Sequence, residues 1–194
     1  MLVTILGQGP LAEPLAQLAE RAGHTMRRVQ EAPAPWHEVD TPDLVILVGS
    51  STAVQTLLGR VAPSIAAYVV VVDATIPTVD DRDGNEADLR GTVWIPALIK
   101  GARIVRAFAS VPADAVATVL HDRTTPPRLA VPLAGDDQNA KALVIKFMRD
   151  IGVDPFDLGA LANEDVIAPG GALWGRALNP VEMLEAVGLL SGDG

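Results

Sequence analysis

The residues best suited to chemistry form a glycine-rich loop near the start of the chain. The run Gly7-Gln8-Gly9-Pro10-Leu11-Ala12 follows an apolar segment and precedes a helical pattern. In such a loop the first glycine permits a tight turn, the second lets a diphosphate approach the backbone, and a small third residue lets the helix pack on the strand. Free N–H groups at the helix start attract the phosphates. The loop predicts a dinucleotide site; the alternative is a tight turn that binds nothing.

The ribose of a dinucleotide is recognised at the end of the second strand, by an acid for NAD or an arginine for NADP. Counting on from the glycines places Gln30 and Glu31 there. Gln30 can bind a hydroxyl group, whereas Glu31 would repel a 2′-phosphate. Arg27 and Arg28 precede them, and two adjacent arginines cannot both face a core, so this strand is predicted at a sheet edge.

The sequence gives little evidence for other kinds of catalytic site. The chain has no cysteine, which excludes disulfides, thiolate catalysis and Cys–zinc sites. His24, His37 and His121 are interpreted as structural or solvated. We find no metal-ligand spacing and no nucleophile–base motif, and therefore assign no catalytic residue and no metal.

Composition narrows the class of protein further. The 194 residues fit one domain, 1–194, and 49% are hydrophobic but only 4% aromatic. A core of aliphatic residues suits a parallel sheet covered by helices. The net charge of −9 argues against nucleic acid or an anionic membrane as a partner. No apolar run is long enough for a membrane span and no basic leader is seen, so we expect a cytoplasmic protein.

Strand and helix patterns alternate along the chain. This alternation predicts an α/β protein with a Rossmann-type, doubly wound, mostly parallel sheet. Helices are expected over 11–22, ended by Gly23, over 51–62, capped by Ser50 or Ser51, over 113–120, and from Asp136 and Asp137 to 151. Strands are predicted at residues 2–6, 24–29, 44–48, 68–72, 103–107 and 129–133.

Three irregularities modify this pattern. Segment 31–43 is short and proline-rich, so the sheet is expected to lack one strand beside the second. Segments 31–42 and 122–128 are predicted loops, and Pro132 suggests that the last strand lies at an edge. Residues 169–190 are apolar and predicted to form a helical tail, broken at Asn179-Pro180. We expect this tail to bury against a second subunit, giving a homodimer, or to close the cleft.

Several longer stretches resemble one family. Val131-Pro132-Leu133-Ala134-Gly135-Asp136-Asp137 and Asp157-Leu158-Gly159-Ala160-Leu161 are the most specific. Together with Ala22-Gly23-His24 and the segments 71–77 and 103–113, they make nearly the whole chain similar to NADP reductases that depend on coenzyme F420, a deazaflavin. The chain departs from that family at Val29, Gln30 and Glu31, where members commonly have a small residue, then Ser or Thr, then Arg.

The resemblance implies an oxidoreductase that transfers a hydride between a nicotinamide dinucleotide and a small-molecule redox partner. The cofactor is NADP or NAD, and the partner is coenzyme F420, a flavin or a similar acceptor. By position, the residues around the cofactor are Gly7, Gln8, Gly9, Pro10 and Leu11 at the pyrophosphate, Gln30 and Glu31 at the ribose, and Gly49, Ser50, Ser51, Thr75 and Pro77 near the nicotinamide half, with Phe108 and Ser110 beside the second substrate. For Phe108 and Pro77, packing in the core is an equally good explanation.

A second hypothesis stays open. Glu31, the shortened segment after the second strand and the double-arginine edge are also typical of a non-catalytic Rossmann protein, a sensor or assembly subunit that has lost its redox site.

Overall fold

The structure is a computed structural model that describes residues 1–31, 41–62, 69–78, 94–122 and 127–188. It contains a seven-stranded sheet in the order β2-β1-β3-β4-β5-β6-β7. The strands are β1 (Leu2–Gly7), β2 (Thr25–Val29), β3 (Leu44–Ser50), β4 (Val70–Ile76), β5 (Arg103–Ala107), β6 (Ala130–Gly135) and β7 (Asp154–Asp157). The first five are parallel, β6 runs antiparallel to β5, and β7 is parallel to β6.

Helices cover both faces of this sheet, which confirms the predicted doubly wound α/β fold. The helices are α1 (Ala12–Arg21), α2 (Ser51–Val61), α3 (Ile95–Leu98), α4 (Ala113–Thr118), α5 (Gln138–Ile151) and α6 (Pro180–Ala186), with a 3₁₀ helix over Leu161–Ile167. Apolar residues of α1, α4 and α5 form one core cluster with the sheet, and those of α2 and α3 form another. Of the described helices, none combines the length and apolar character needed to cross a membrane.

Local sequence signals fix several helix ends. Ser50 caps α2 by accepting a hydrogen bond from the Ala53 N–H at 3.3 Å, and Asp137 caps α5 by accepting from Ala140 at 2.8 Å. Gly23, with φ 82°, follows α1 in the left-handed conformation that ends helices. Pro14 falls in the first turn of α1, where its missing N–H costs no helical hydrogen bond.

The second strand lies at the edge of the sheet, as its two arginines predict. β2 pairs with β1 alone, and within the described ranges no strand lies beyond it. Arg28 donates to Glu13, in the first turn of α1, at 2.5 Å. This hydrogen bond lowers the pKa of Glu13. Most of the predicted loops 31–42 and 122–128 lie outside the described residues, as do His37 and Tyr68.

The prediction that Pro132 marks an edge strand is wrong. β6 lies between β5 and β7. Its ladder with β5 involves Leu133, Ala134 and Gly135, so it stops before Pro132 is reached. The Leu133 carbonyl and the Gly135 N–H form hydrogen bonds on the β7 side of β6. Because the backbone polar groups of successive residues alternate between the two sides of a strand, the nitrogen of Pro132 faces the β5 side, at a point beyond the end of β5. The missing N–H therefore breaks no ladder bond.

The apolar tail is less helical than predicted. Between 169 and 190 the described residues form a helix over Pro180–Ala186 alone, which begins with a capping box on Asn179. Gly170 and Gly175 have φ of 85° and 71°, so the preceding segment turns repeatedly instead of continuing as a helix. The tail packs on β6 through a third apolar cluster formed by Ala130, Ile167, Leu173, Leu178 and Met183. The homodimer stays a prediction.

Candidate functional site

The glycine loop makes a tight turn between β1 and α1. Gly7 ends β1 with φ 105°, and a Cβ atom there would lie 2.2 Å from the carbonyl oxygen of Val48 in β3. The Ala12 N–H then donates to the Gly9 carbonyl at 3.0 Å as α1 begins. Since any side chain at Gly7 would collide with backbone, packing alone accounts for this glycine.

Gly49 at the end of β3 is explained in the same way. It has φ 126°, and a Cβ atom there would lie 2.5 Å from the carbonyl oxygen of Gln8. The loop after β1 and the loop after β3 are therefore packed directly against each other. This contact lies between β1 and β3, where the chain reverses its direction across the sheet, and in open α/β sheets ligands bind at that point.

Gly9 differs from its neighbours. A Cβ atom on Gly9 would meet Gly49 at 3.6 Å and Val48 at 3.8 Å, which are ordinary contact distances. Gly9 also lines a cavity, and no side chain caps the start of α1, at Leu11. Packing therefore does not require this glycine, but its φ of 158° is a backbone conformation that favours glycine. The start of α1 offers backbone N–H groups to an anion.

The cavity, of about 360 Å³, lies at the carboxyl ends of β1, β3, β4 and β5 on the face covered by α1 and α4. It has the size of a small-molecule site. Its described lining is almost entirely apolar and consists of Gly9, Pro10, Leu11, Val48, Gly49, Ala74, Ile76, Phe108, Ala109, Ser110, Val111, Pro112, Ala113, Trp174 and Gly175. The structure thus brings together the glycine loop, the β5–α4 turn and the C-terminal segment.

The predicted site residues divide into two groups. Those on the wall of the cavity are Gly9, Pro10, Leu11, Gly49, Phe108 and Ser110. Those outside its described lining are Gly7, Gln8, Gln30, Glu31, Ser50, Ser51, Thr75 and Pro77. Gln30 and Glu31 are exposed at the end of the edge strand. Ser51 hydrogen-bonds Thr78 at 3.2 Å, which ties the start of α2 to the segment after β4.

Strand alternation explains why Thr75 is not on the cavity wall. Ala74 and Ile76 face the cavity, so Thr75 between them faces the other side of the sheet. Thr75 is fully buried there and donates to Oδ1 of Asp73 from both its N–H, at 2.9 Å, and its hydroxyl, at 2.7 Å. The sequence pointed to a strand end that lines the cavity but not to the residues that face the cavity.

A buried ion pair on that opposite face escaped the sequence analysis. Nη1 of Arg106 in β5 donates to Oδ2 of Asp73 in β4 at 2.6 Å, and both side chains are inaccessible to solvent. Burial raises the pKa of Asp73, although Arg106 and Thr75 favour its ionised form. Two opposite charges inside otherwise apolar neighbouring strands were the available signal. The pair joins the two strands whose ends form the cavity wall, and is therefore a positioning element.

The described part of the chain supplies no acid–base group at the cavity and no cluster of three His, Asp or Glu residues arranged for a metal.

His24 lies away from the cavity, with its ring 5.5 Å from that of Phe147 and its Nε2 3.5 Å from Asp150. Burial lowers the pKa of His24, and the N-terminal ammonium group adds to this effect.

The lowered pKa of His24 gives a pH-dependent stability. The folded state favours the neutral ring. The contribution of His24 to the free energy of unfolding is therefore fully present above the pKa of about 6.5 that it has in the unfolded chain, and it is lost as the pH falls through its lower pKa in the folded protein. We expect the unfolding midpoint in urea to fall from pH 7.5 to 5.5, and His24→Gln to fall less over the same interval. If the urea midpoint falls equally in the wild-type protein and in His24→Gln, the stability lost at acid pH is due to carboxylates and not to His24.

No model of a known protein family matches the sequence, and no curated protein is similar to it. Solved structures do match. A hypothetical protein from Sinorhizobium meliloti has a TM-score of 0.69 at 20% identity, over 92% of this chain and 95% of that one. A protein from Arthrobacter sp. FB24, provisionally described as an F420-dependent NADP reductase, has a TM-score of 0.61 at 18% identity, over 91% and 98%.

A more distant match extends the comparison to larger enzymes. The 3-hydroxyisobutyrate dehydrogenase of Mycobacterium tuberculosis has a TM-score of 0.60 at 16% identity, over 82% of this chain but 54% of that one. At these identities the matches establish the fold. The chain has the Rossmann-type α/β fold that these proteins share, and the resemblance to the F420-dependent reductase family is confirmed at that level.

Proposed function

We propose that this chain is an oxidoreductase that binds NAD or NADP and transfers a hydride between the nicotinamide and a second redox partner, such as a deazaflavin or a flavin. The observation that carries the proposal is Gly9. It lies on the cavity wall just before α1, in a backbone conformation with φ 158° that favours glycine, and a Cβ atom there would make only ordinary contacts, at 3.6 Å or more. A glycine kept for packing, like Gly7, would have the space for that atom filled.

The residues around this space fit a dinucleotide. The backbone from Gly9 to Leu11 would hold the pyrophosphate at the uncapped start of α1. The wall formed by Val48, Gly49 and Ala74 would border the nicotinamide half. When bound, the dinucleotide supplies the hydride chemistry. The chain's own contribution is then to set the distance and angle between two reactants and to exclude water from an apolar cavity.

Charge at the end of β2 favours NAD over NADP. Glu31 is exposed where the ribose is expected, and Arg28 is already paired with Glu13. An uncompensated acid repels a 2′-phosphate but can accept a hydrogen bond from a 2′-hydroxyl.

Thermal unfolding with increasing NADH or NADPH tests the dinucleotide site. A ligand at a hundred times its dissociation constant raises the free energy of unfolding by about 2.7 kcal/mol. We expect a clear rise in Tm, larger with NADH. In Gly9→Ala we expect the methyl group to compete with the diphosphate, so the NADH-dependent shift should be lost. The unliganded protein should lose roughly 1–3 kcal/mol of stability, because alanine rarely adopts a φ of 158°.

Gly59→Ala is the matched control, since Gly59 lies on the exposed side of α2 with open space around it. It should retain the full NADH shift. The absence of a shift with either dinucleotide in the wild-type protein would favour the second hypothesis, a non-catalytic Rossmann protein. Packing at Gly7 and Gly49 already accounts for two of the glycines without any ligand.

A further inference from the structure

The far wall of the cavity, away from the glycine loop, is formed by the turn between β5 and α4. Ser110 lies in this turn and lines the cavity. Ser110 is 2% exposed, and among the described residues its hydroxyl has no hydrogen-bond partner. A buried hydroxyl without a partner destabilises a folded protein, so its presence on a cavity wall points to a partner that arrives with a ligand.

The backbone of the same turn is strained. Phe108 has φ 66°, which makes it the one non-glycine residue with positive φ in the described part of the chain, and it is 1% exposed. A bulky residue in this conformation destabilises the backbone and persists where the surroundings impose it, often at binding sites. The strain and the unpartnered hydroxyl occur two residues apart on one wall.

The C-terminal segment holds this turn from outside. The Gly175 N–H donates to the Ser110 carbonyl at 2.8 Å, and the half-buried Trp174 lines the cavity beside it. The backbone of Ser110 is thereby anchored while its hydroxyl stays unpaired. No described residue of the wall carries a charged side chain.

We propose that Ser110 is the anchor for an uncharged, largely apolar small molecule that carries a carbonyl or hydroxyl group. The reasons are the unpartnered hydroxyl and the cost of burying an ionised group against the Ser110 wall, which carries no counter-charge and lies away from the N–H groups at the start of α1. As a statement about the second substrate, this inference depends on the proposed oxidoreductase function. As a statement about binding, it is independent of any dinucleotide.

The test is an NMR titration without dinucleotide, using cyclohexanone and cyclohexanecarboxylate as a neutral and an anionic probe of similar shape. The readout is the indole N–H signal of Trp174, assigned by its disappearance in Trp174→Phe. We expect cyclohexanone to shift this signal saturably and the carboxylate to bind at least about tenfold more weakly. In Ser110→Ala the dissociation constant for cyclohexanone should rise about three- to tenfold, as expected for one lost hydrogen bond.

Thr4→Val is the control, because Thr4 carries another buried hydroxyl with no partner in the described ranges but lies in β1, outside the described lining of the cavity. It should leave the titration unchanged. Neither Ser110→Ala nor Thr4→Val should lower the Tm of the unliganded protein, since each removes an unpaired polar group. An unchanged dissociation constant for cyclohexanone in Ser110→Ala would overturn the proposal, as would carboxylate binding that equals that of cyclohexanone and is weakened by Ser110→Ala. Because no dinucleotide is present, a failure of NADH to bind leaves this result interpretable.

Discussion

Asp73→Asn is expected to lower the free energy of unfolding by about 3–5 kcal/mol, the usual cost of leaving one member of a buried ion pair without its partner. The substitution is nearly isosteric, but it leaves the guanidinium of Arg106 buried against a neutral amide. Arginine cannot relieve this cost by losing its proton. Urea unfolding at pH 7, monitored by circular dichroism, measures the effect.

Arg106→Met should cost less than Asp73→Asn and should be pH-dependent. The carboxyl of Asp73, still buried, can take up a proton, and burial already raises its pKa. In the variant the folded state then binds this proton more tightly than the unfolded chain. Its stability is therefore greatest at low pH and falls as the pH rises above the unfolded value of about 3.9.

The double variant Asp73→Leu/Arg106→Met completes the comparison. Replacing both charges with apolar residues of similar volume is often neutral, so most of the stability lost in Asp73→Asn should return. If Asp73→Asn unfolds at the same urea concentration as the wild-type protein, the pair contributes nothing to holding β4 against β5.

Gly7→Ala is expected to destabilise the protein by roughly 2–4 kcal/mol, from a strained backbone and a forced shift of packed atoms. Gly7 has φ 105°, and the added methyl carbon would meet the Val48 carbonyl oxygen at 2.2 Å. Neither atom belongs to a flexible side chain, so β1 and β3 must separate. The measurement is again urea unfolding.

Gly9→Ala and Gly59→Ala set the scale for this result. Gly9→Ala should cost roughly 1–3 kcal/mol, from its φ of 158° without a collision, whereas Gly59→Ala should stabilise by about 0.5–1 kcal/mol, because alanine loses less backbone freedom inside a helix. If Gly7→Ala were no more destabilising than Gly9→Ala, it would be wrong to conclude that packing requires the glycine at position 7 but not the one at position 9.

Much of the fold follows from local sequence signals. The alternation of apolar segments with helical patterns predicted the doubly wound sheet, because period and length distinguish buried strands from amphipathic helices. Ser50 and Asp137 cap the starts of α2 and α5, and Gly23 follows the end of α1, as predicted, since a cap depends on a few neighbouring atoms. The double arginine placed β2 at the edge, because an edge leaves room for both side chains.

The errors arise where distant segments decide the outcome. Pro132 is tolerated inside the sheet because β5 ends before it would pair with Pro132. The residues around Pro132 give no information about where β5, a distant segment, ends. The tail 169–190 is apolar enough for a helix, but Gly170 and Gly175 take positive φ where it turns over β6.

The sequence by itself determined the fold class and the position of a glycine loop at a strand–helix turn, because both depend on residues close together in the chain. Only the tertiary structure decided which of the glycines is required by packing. It did so by placing Val48 against Gly7 and leaving Gly9 open. It also set the alternation that turns Ala74 toward the cavity and Thr75 away from it, and it joined Asp73 to Arg106. Such contacts are set by the register of neighbouring strands, which only the assembled sheet fixes.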